Sequence, residues 1–394
     1  MSQTCNVALI GQKFMGRAHS NAYLKVARFF NVPIRPIMHT IVAKDLISLA
    51  PFADRWGWKK YSTNWKEVVK DPAIDLVDVS SPNYMHAEQA LAAISNGKHV
   101  ACEKPLALSM KDARQMKNAA ARSRRCRTFV WFNYRRCPAV ALARQLVAEG
   151  RLGRIYHVRA SYLQEWGAPD TPLSWRFQKK YAGSGAHGDL NAHIIDMARF
   201  ITGQEFTEIC GALAETFVTE RETFEVERKS LRPRARRAKP MGKVDVDDCV
   251  LFLARLNGGA VASFEASRVA TGHQNNNTLE INGENGAVRF SFEDMNLLWF
   301  MDATEDRRVA GWRRIMCTSA GNHPYAGAWW PDAHLIGYEH TFINMTADIM
   351  AVLAGEEPIV PLPDFADAYE TQRVLEAALL SAKNRSAIKM TEVK

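Results

Sequence analysis

The sequence predicts an α/β fold followed by an α+β part. The first is a doubly wound parallel sheet. The second is built on a large, mostly antiparallel open sheet covered by helices on one face. Three observations carry this reading. Short apolar runs alternate with helical periodicities through the first ~130 residues, the pattern of repeated βαβ units. From residue 209 onward, β-type runs follow one another with turn pairs between them and few helices. The tail then turns helical again.

The first run, residues 6–10, is apolar and closed by Gly11, as a buried parallel strand should be. A helix is expected over 18–29, then a loop holding Pro33 and Pro36, a strand at 37–43 and a helix at 46–55. A short strand lies near Tyr61, and a helix at 65–70 has Pro72 beyond its end. The strand at 75–80 is stopped by Ser81-Pro82-Asn83, and the helix at 86–96 ends at Gly97. A strand at 98–103, a helix at 110–122 and a strand at 128–133 complete the first part. The second part offers a helix at 139–149, a β run at 155–164 and a helix at 186–202. Further β runs lie at 211–219, 246–256, 260–267, 278–282 and 287–292. Asn257-Gly258-Gly259 and Gly283-Glu284-Asn285-Gly286 mark turns between them. Helices are expected at 340–354 and 365–383. The domain boundary is set at 130/131, giving domains 1–130 and 131–394. The last helix is a candidate to pack back on the first domain.

Composition narrows the class. In 394 residues, 47% are apolar and 24% charged, which excludes a disordered tail, a collagen and a small disulfide scaffold. No stretch approaches the roughly 18 apolar residues of a membrane span. Residues 1–5 lead into the first strand without a basic leader, so a cytoplasmic protein without a signal peptide is expected. The seven cysteines are scattered, with no C-x-x-C, which reads as reduced thiols and no metal module. Of the formal charge of +9, much sits in residues 221–243, with nine Lys/Arg against three Glu. Without interleaved aromatics, this reads as a solvated loop or subunit contact. Neither a nucleic acid nor a membrane is expected as a partner.

Gly11-Gln12-Lys13-Phe14-Met15-Gly16 sits after the first strand and opens the first helix, the place of the G-x-G-x-x-G turn of a Rossmann dinucleotide site. The first glycine makes the turn, the second admits the pyrophosphate, and the third lets helix and sheet approach. Here the middle position is Lys13. A lysine serves there if its backbone is allowed and its ammonium reaches a phosphate; the free N–H groups of the helix remain an anion site in any case. At the end of the second strand stand Lys44 and Asp45. The carboxylate suits the ribose of NAD and the lysine the 2′-phosphate of NADP, so NAD is expected and NADP stays open. Asp45 reads equally well as a helix N-cap.

Ala101-Cys102-Glu103-Lys104-Pro105, the segment Ser81-Pro82-Asn83-x-x-His86, and Gly16-Arg17-Ala18-His19 together resemble the Gfo/Idh/MocA family of NAD(P)-dependent sugar and polyol oxidoreductases. The likeness spans nearly the whole chain. It is closest to the branch acting on C3 of glycosides and anhydrosugars, through Phe132-Asn133-Tyr134-Arg135-Arg136, Tyr162-Leu163-Gln164, Leu173-Ser174-Trp175-Arg176-Phe177-Gln178, Gly188-Asp189-x-x-x-His193, Trp329-Trp330-Pro331 and Glu339-His340-Thr341-Phe342. The resemblance implies a Rossmann domain, a cis bond before Pro105, and a catalytic set of Lys104, Asp189 and His193. It implies cofactor contacts from Gly11, Lys13, Phe14, Met15 and Gly16, from Lys44 and Asp45, and from Ser81, Pro82, Asn83 and His86. Glu103, Lys104, Trp175 and Arg176 complete that set.

Asp189 and His193, four apart on an expected helix, would share a face, where a carboxylate orients an imidazole and raises its pKa. Hydride transfer from a sugar carbon needs its hydroxyl to lose a proton. His193 is the candidate base and Lys104 the cation at the oxygen, with the assignment between them open. Tyr134, Gln164, Trp175 and Arg176 are candidate sugar contacts, with His334 and Tyr338 behind them. The expected activity is NAD-dependent oxidation of a ring hydroxyl, at C3, of a sugar, glycoside or anhydrosugar. Alternatives are an NADPH-linked reductase of keto-sugars or keto-inositols and a non-catalytic sensor. An exposed sheet face commonly drives association, so a homodimer or homotetramer is expected.

Overall fold

The computed structural model describes residues 3–223, 240–321 and 323–393; most of the basic segment noted at 221–243 lies outside them. The chain opens β1 (Gln3–Ile10), α1 (Phe14–Phe29), β2 (Ile34–Val42), α2 (Leu46–Trp56), β3 (Lys60–Ser62), α3 (Trp65–Val68) and β4 (Leu76–Val79). It continues with α4 (His86–Ser95), β5 (His99–Cys102), α5 (Met110–Arg122) and β6 (Thr128–Val130). The six strands pair in parallel in the order β3-β2-β1-β4-β5-β6, so the strand order reverses between β1 and β4. In sheets of this order ligands sit outside the strands' carboxyl ends, at the reversal. The strands are apolar runs because helices cover both faces: Val7, Ala8 and Leu9 of β1 and Leu76, Val77 and Val79 of β4 are wholly buried. Asp45, Asn64 and Ser109 cap the helices that follow them, each accepting a backbone N–H. The strand expected over 128–133 stops at Val130, because Asn133–Arg136 closes into a 3₁₀ turn.

The second part comprises α6 (Pro138–Ala148), β7 (Ile155–Leu163), α7 (Lys179–Ala182), α8 (Ala192–Thr202) and β8 (Phe206–Glu215). A small hairpin follows, β9 (Glu220–Glu222) with β10 (Met241–Lys243). Then come β11 (Cys249–Leu256), β12 (Val261–Ser267), β13 (Asn276–Gly283), β14 (Gly286–Ser291), β15 (Leu297–Asp302) and β16 (Arg313–Met316). Helices α9 (Tyr338–Leu353) and α10 (Phe365–Asn384) and the short β17 (Ile388–Lys389) end the chain. Nine strands form one open sheet, β16-β15-β14-β13-β7-β12-β11-β8-β17, antiparallel except where β7 meets β12. The alternation along β11 shows its two faces: Val250, Phe252 and Ala254 are buried, while Leu251 and Leu253 point outward. Leu213 and Val261 share that open face, which holds a broad groove of about 800 Å³ between Arg159, Glu265, Glu280 and Arg289.

The two sheets are tied by the tail and by an aromatic contact, while buried ion pairs hold the linking turn to the second part. The Val130 N–H donates to the carbonyl of Pro363 at 2.8 Å, and Lys117 lies 4.3 Å from the Tyr369 ring centre, so α10 packs against the first sheet's β6 and α5. Arg135 on the linking turn pairs with Asp196 and Asp367, both at 2.5 Å, and fully buried Arg136 pairs with Asp348 at 3.1 Å. Trp329 packs on Phe29 of α1 at 4.5 Å between ring centres. These contacts fix the cleft between the sheets.

Candidate active site

A cavity of about 990 Å³ runs from the carboxyl ends of β1 and β2, past β4 and β5, to the face of the second part formed by β7 and α8. Its first wall is the turn from Gly11 to Met15; Gly16, expected as a cofactor contact, does not line it. Gly11 has φ +130°, and a Cβ there would meet Ser80 Oγ at 2.5 Å. A Cβ on Gly16 would sit 2.2 Å from the Gly11 carbonyl oxygen. Both places require glycine. Lys13, at the middle position, has φ −77° and makes no side-chain cap, so an ordinary backbone replaces the expected glycine and the N-terminus of α1 stays open to an anion. Asp45 lines the cavity, but its carboxylate also caps α2: it accepts from the Ile47 N–H at 3.1 Å and from Ser48 Oγ at 2.5 Å. The Ser48 hydroxyl leads in holding its carboxyl below the usual range, and Lys13 adds to the effect. Lys44 is exposed at the same rim. Gly11, Lys13, Phe14, Met15, Ser81, Pro82, Asn83 and His86 all line the cavity. His86 bridges the carbonyls of Ser81 and Pro105, at 2.9 and 3.0 Å, and Asn83 donates to the carbonyl of Ala182 at 3.1 Å.

The reactive groups meet deeper in. The Lys104–Pro105 peptide is cis. Lys104 Nζ donates to Asp189 Oδ1 at 2.7 Å and to the Asp189 carbonyl at 2.8 Å. The helix expected over 186–202 is not uniform. His187–Asn191 forms a single π turn before α8, and Asp189 sits in it. Asp247 fixes the start of that turn, its two oxygens accepting the N–H groups of Gly185 and His187 at 2.8 and 2.7 Å. Burial pushes the Asp189 carboxyl up, but the Lys104 and Arg176 cations outweigh it and hold it far below the usual range. Its side chain keeps 35% of its surface open to the cleft.

His193 corrects one expectation. Its pKa lies well below the usual value, first because the ring is buried and then because the Lys104 cation is near; Asp189 offsets only part of this. The carboxylate does not raise it because Lys104 takes the carboxylate. The imidazole is therefore neutral, with Nδ1 buried and without a hydrogen-bond partner. Its ring centre lies 4.6 Å from that of Tyr134. Around it the Tyr134 and Tyr162 hydroxyls are 2.8 Å apart, and Asn275 Oδ1 accepts from Tyr162 at 2.8 Å and from Gln164 at 2.6 Å. Trp175 and Arg176 line the cavity from a short 3₁₀ turn, with the guanidinium 4.5 Å from the indole centre. The turn is anchored by Phe177, which lies between Arg221 at 3.8 Å and Arg268 at 4.5 Å. Tyr338 stacks on Phe14 at 6.0 Å across the cleft.

His334 is a second correction. It is exposed, outside this cavity, and its Nδ1–H donates to the Pro331 carbonyl at 3.0 Å. It belongs to a surface turn, and the chain enters the cavity only at Tyr338. Among the residues the sequence reading passed over, Tyr162 and Arg268 line the cavity and Asn275 supports it. Tyr162 was findable, since it shares a strand face with Gln164; Arg268 and Asn275 carried no local signal. Trp65 and Asn64 line the far, β2 end.

A reversed six-stranded parallel sheet with a glycine turn, joined to a large open sheet that closes over a lysine–aspartate pair, defines a two-domain dinucleotide-dependent oxidoreductase. The chain belongs to the Gfo/Idh/MocA family. Residues 5–132 match its oxidoreductase, NAD-binding Rossmann fold and residues 140–289 its C-terminal domain. It is 39% identical to levoglucosan dehydrogenase of Pseudarthrobacter phenanthrenivorans over 394 residues, 99% of each chain. A solved structure of levoglucosan dehydrogenase in complex with NADH and levoglucosan superposes with a TM-score of 0.90 at 39% identity, covering 99% of this chain and all of that one. An oxidoreductase domain protein from Kribbella flavida superposes with a TM-score of 0.91 at 45% identity, covering 98% and 99%. Among the described residues no helix is long and apolar enough to cross a membrane.

Proposed function

We propose that this protein is an NAD-dependent dehydrogenase that oxidises a ring hydroxyl, at C3, of a sugar, glycoside or anhydrosugar. One observation carries the reading: Lys104 and Asp189, from different domains, pair at 2.7 Å beside a neutral, buried His193 in the cavity that begins at the glycine turn. The uncapped N-terminus of α1, brought to the cavity by the Gly11 turn, suits a pyrophosphate, and residues 1–130 would hold the cofactor while 131–394 hold the sugar. When bound, NAD supplies the acceptor for the hydride leaving the sugar carbon.

The protein's own groups handle the oxygen. With Nδ1 shut inside the protein, Nε2 of neutral His193 is the nitrogen left to take the hydroxyl proton. Lys104, pinned by Asp189, places its cation where negative charge grows on that oxygen. The open third of Asp189 accepts a neighbouring hydroxyl. Gln164 and Tyr134 supply polar contacts, and Trp175 covers the apolar face of the ring. The unpaired state of all seven cysteines supports a cytoplasmic setting. The outward Leu213, Leu251, Leu253 and Val261 support a homodimer or homotetramer built on the open sheet face.

The test is reduction of NAD, and separately of NADP, with a panel of pyranoses, glycosides and anhydrosugars, followed by product analysis for the 3-keto compound. Lys104→Ala and His193→Ala should lose turnover while still binding NADH. A folded protein with no turnover in either direction on any of these would overturn the reading. Sedimentation as a monomer at micromolar concentration would remove the oligomer.

A further inference from the structure

Directly behind Lys104 lies a buried charge cluster that the chemistry above does not use. Asp78 on β4 accepts three hydrogen bonds. His19 Nδ1–H reaches one oxygen at 2.9 Å and the Tyr23 hydroxyl the same oxygen at 2.8 Å; Trp131 Nε1–H reaches the other at 3.0 Å. The far side of the His19 ring meets Glu103: Nε2–H to Oε1 at 3.0 Å. Glu103 Oε2 in turn accepts the backbone N–H of Lys104 at 3.1 Å. Asp78 and His19 are wholly buried and Glu103 nearly so.

The hydrogen-bond pattern bears on the charges. Trp131 and the Lys104 amide can only donate, so both carboxylates act as acceptors. His19 faces a carboxylate oxygen from each ring nitrogen, an arrangement that suits an imidazolium donating from both. Its pKa agrees: burial pushes it down, but Asp78 and Glu103 outweigh that and raise it to about 9. The cluster is thus minus, plus, minus, with one net negative charge and its outer member in the wall of the cavity. The Glu103 field is felt across that cavity, since after burial it is the foremost cause raising the Tyr338 hydroxyl.

We propose that Glu103, paired with His19, is a positioning residue that aims the Lys104 segment and biases the site toward the oxidised, positively charged dinucleotide over its reduced form. This rests on the reading that NAD binds with its reactive ring beside Lys104. A fixed negative charge there stabilises a cationic ring and leaves a neutral one nearly unaffected, so it favours an enzyme poised to oxidise.

The experiment measures the dissociation constants of NAD and of NADH separately, by NADH fluorescence and its displacement, without turnover. Glu103→Gln keeps the shape and one acceptor but removes the charge. It should weaken NAD relative to NADH by about tenfold, as loss of a close unit charge in a partly shielded site implies. Asp78→Asn, one step further from the cavity, should move the ratio the same way by less, and serves if Glu103→Gln does not fold. Tyr23→Phe removes a hydrogen bond from the same cluster without changing charge and should leave the ratio alone. A ratio within about twofold of wild type in both charge variants refutes the proposal, as does an equal shift in Tyr23→Phe. Failure of wild type to bind either dinucleotide would instead overturn the proposed function itself, and this inference with it.

Discussion

Replacing Lys104 with Met removes an ammonium from 2.7 Å of Asp189 Oδ1 and keeps an unbranched side chain of similar length. The pair is partly open, with 14% and 35% of the two side chains exposed. Breaking a fully buried pair costs ~3–5 kcal/mol and an exposed one under ~1 kcal/mol, so a stability loss of ~1–2 kcal/mol is expected here. That leaves an ordinary domain folded. The rate should suffer more. Loss of the cation at a developing oxyanion typically costs 10²–10³ in kcat, about 3–4 kcal/mol. A second effect separates this from mere damage. Lys104 is, after burial, the main cause holding the His193 pKa down. In Lys104→Met that pKa rises, and the pH below which kcat/KM falls should move up with it. The assay is NADH formation against pH with the best sugar, beside NADH titration and a thermal melt. A variant that keeps kcat/KM within tenfold of wild type, or whose acid limb stays where it was, would refute the role given to Lys104.

Wild-type kcat/KM should not fall until the pH is well below 6.5, because His193 titrates below its usual value, and His193→Asn should lower kcat by about 10²–10⁴. A limb centred at or above pH 6.5 would assign the base elsewhere. His19 predicts stability of the opposite sense: its folded pKa of about 9 exceeds the unfolded value of 6.5. Its contribution is therefore full below pH 6.5 and fades as pH rises through 9, by up to ~3 kcal/mol. Urea melts at pH 6 and pH 9 should show this loss, and His19→Gln should flatten it; an unchanged slope in the variant counts against the imidazolium. Gly16→Ala drives a Cβ to 2.2 Å from the Gly11 carbonyl. NADH affinity should drop by tenfold or more although alanine is the better helix former, and unaltered affinity would show that the turn does not hold the dinucleotide.

How much of this was visible in the sequence depended on how local the cause was. The inner strands of the first sheet, β1, β4 and β5, were legible because burial on both faces makes them short apolar runs, with Gly11, Pro82 and Pro105 at or just beyond their ends. β16 was not, since Arg313-Arg314-Ile315-Met316 is a half-exposed edge strand without alternation. Lys104 and Asp189 stood in recognisable short segments, and the structure pairs them. His334 stood near such a segment, but nearness in the chain is not nearness in space, and its turn faces solvent. The His193 pKa was read with the wrong sign for the same reason. Spacing of four showed the carboxylate neighbour, while the competing cation, Lys104, came from the other part of the chain, eighty-five residues from that carboxylate. Arg268 lines the cleft, and Asn275 supports it through Tyr162 and Gln164, both from loops at strand ends, where a single sequence leaves no periodic trace.

One feature of the cleft could not have come from either domain alone. Charged residues of alternating sign run from the core of the first sheet outward: Asp78, His19 and Glu103, then, through the backbone N–H of Lys104 on Glu103, Lys104, Asp189 and Arg176. Each sign change lets the next charge be buried, which an isolated ion in that environment would not tolerate. The break between the domains falls between Lys104 and Asp189, the pair that also touches the open cleft. Any shift of one sheet against the other therefore strains that pair first. The aromatic contact of Trp329 with Phe29, the Val130–Pro363 hydrogen bond and the Lys117–Tyr369 contact hold the two parts together apart from that pair. The reactive pair is thus preorganised by packing remote from the chemistry, which is how a lysine on one domain and a carboxylate on another can be held at hydrogen-bond distance before any substrate arrives.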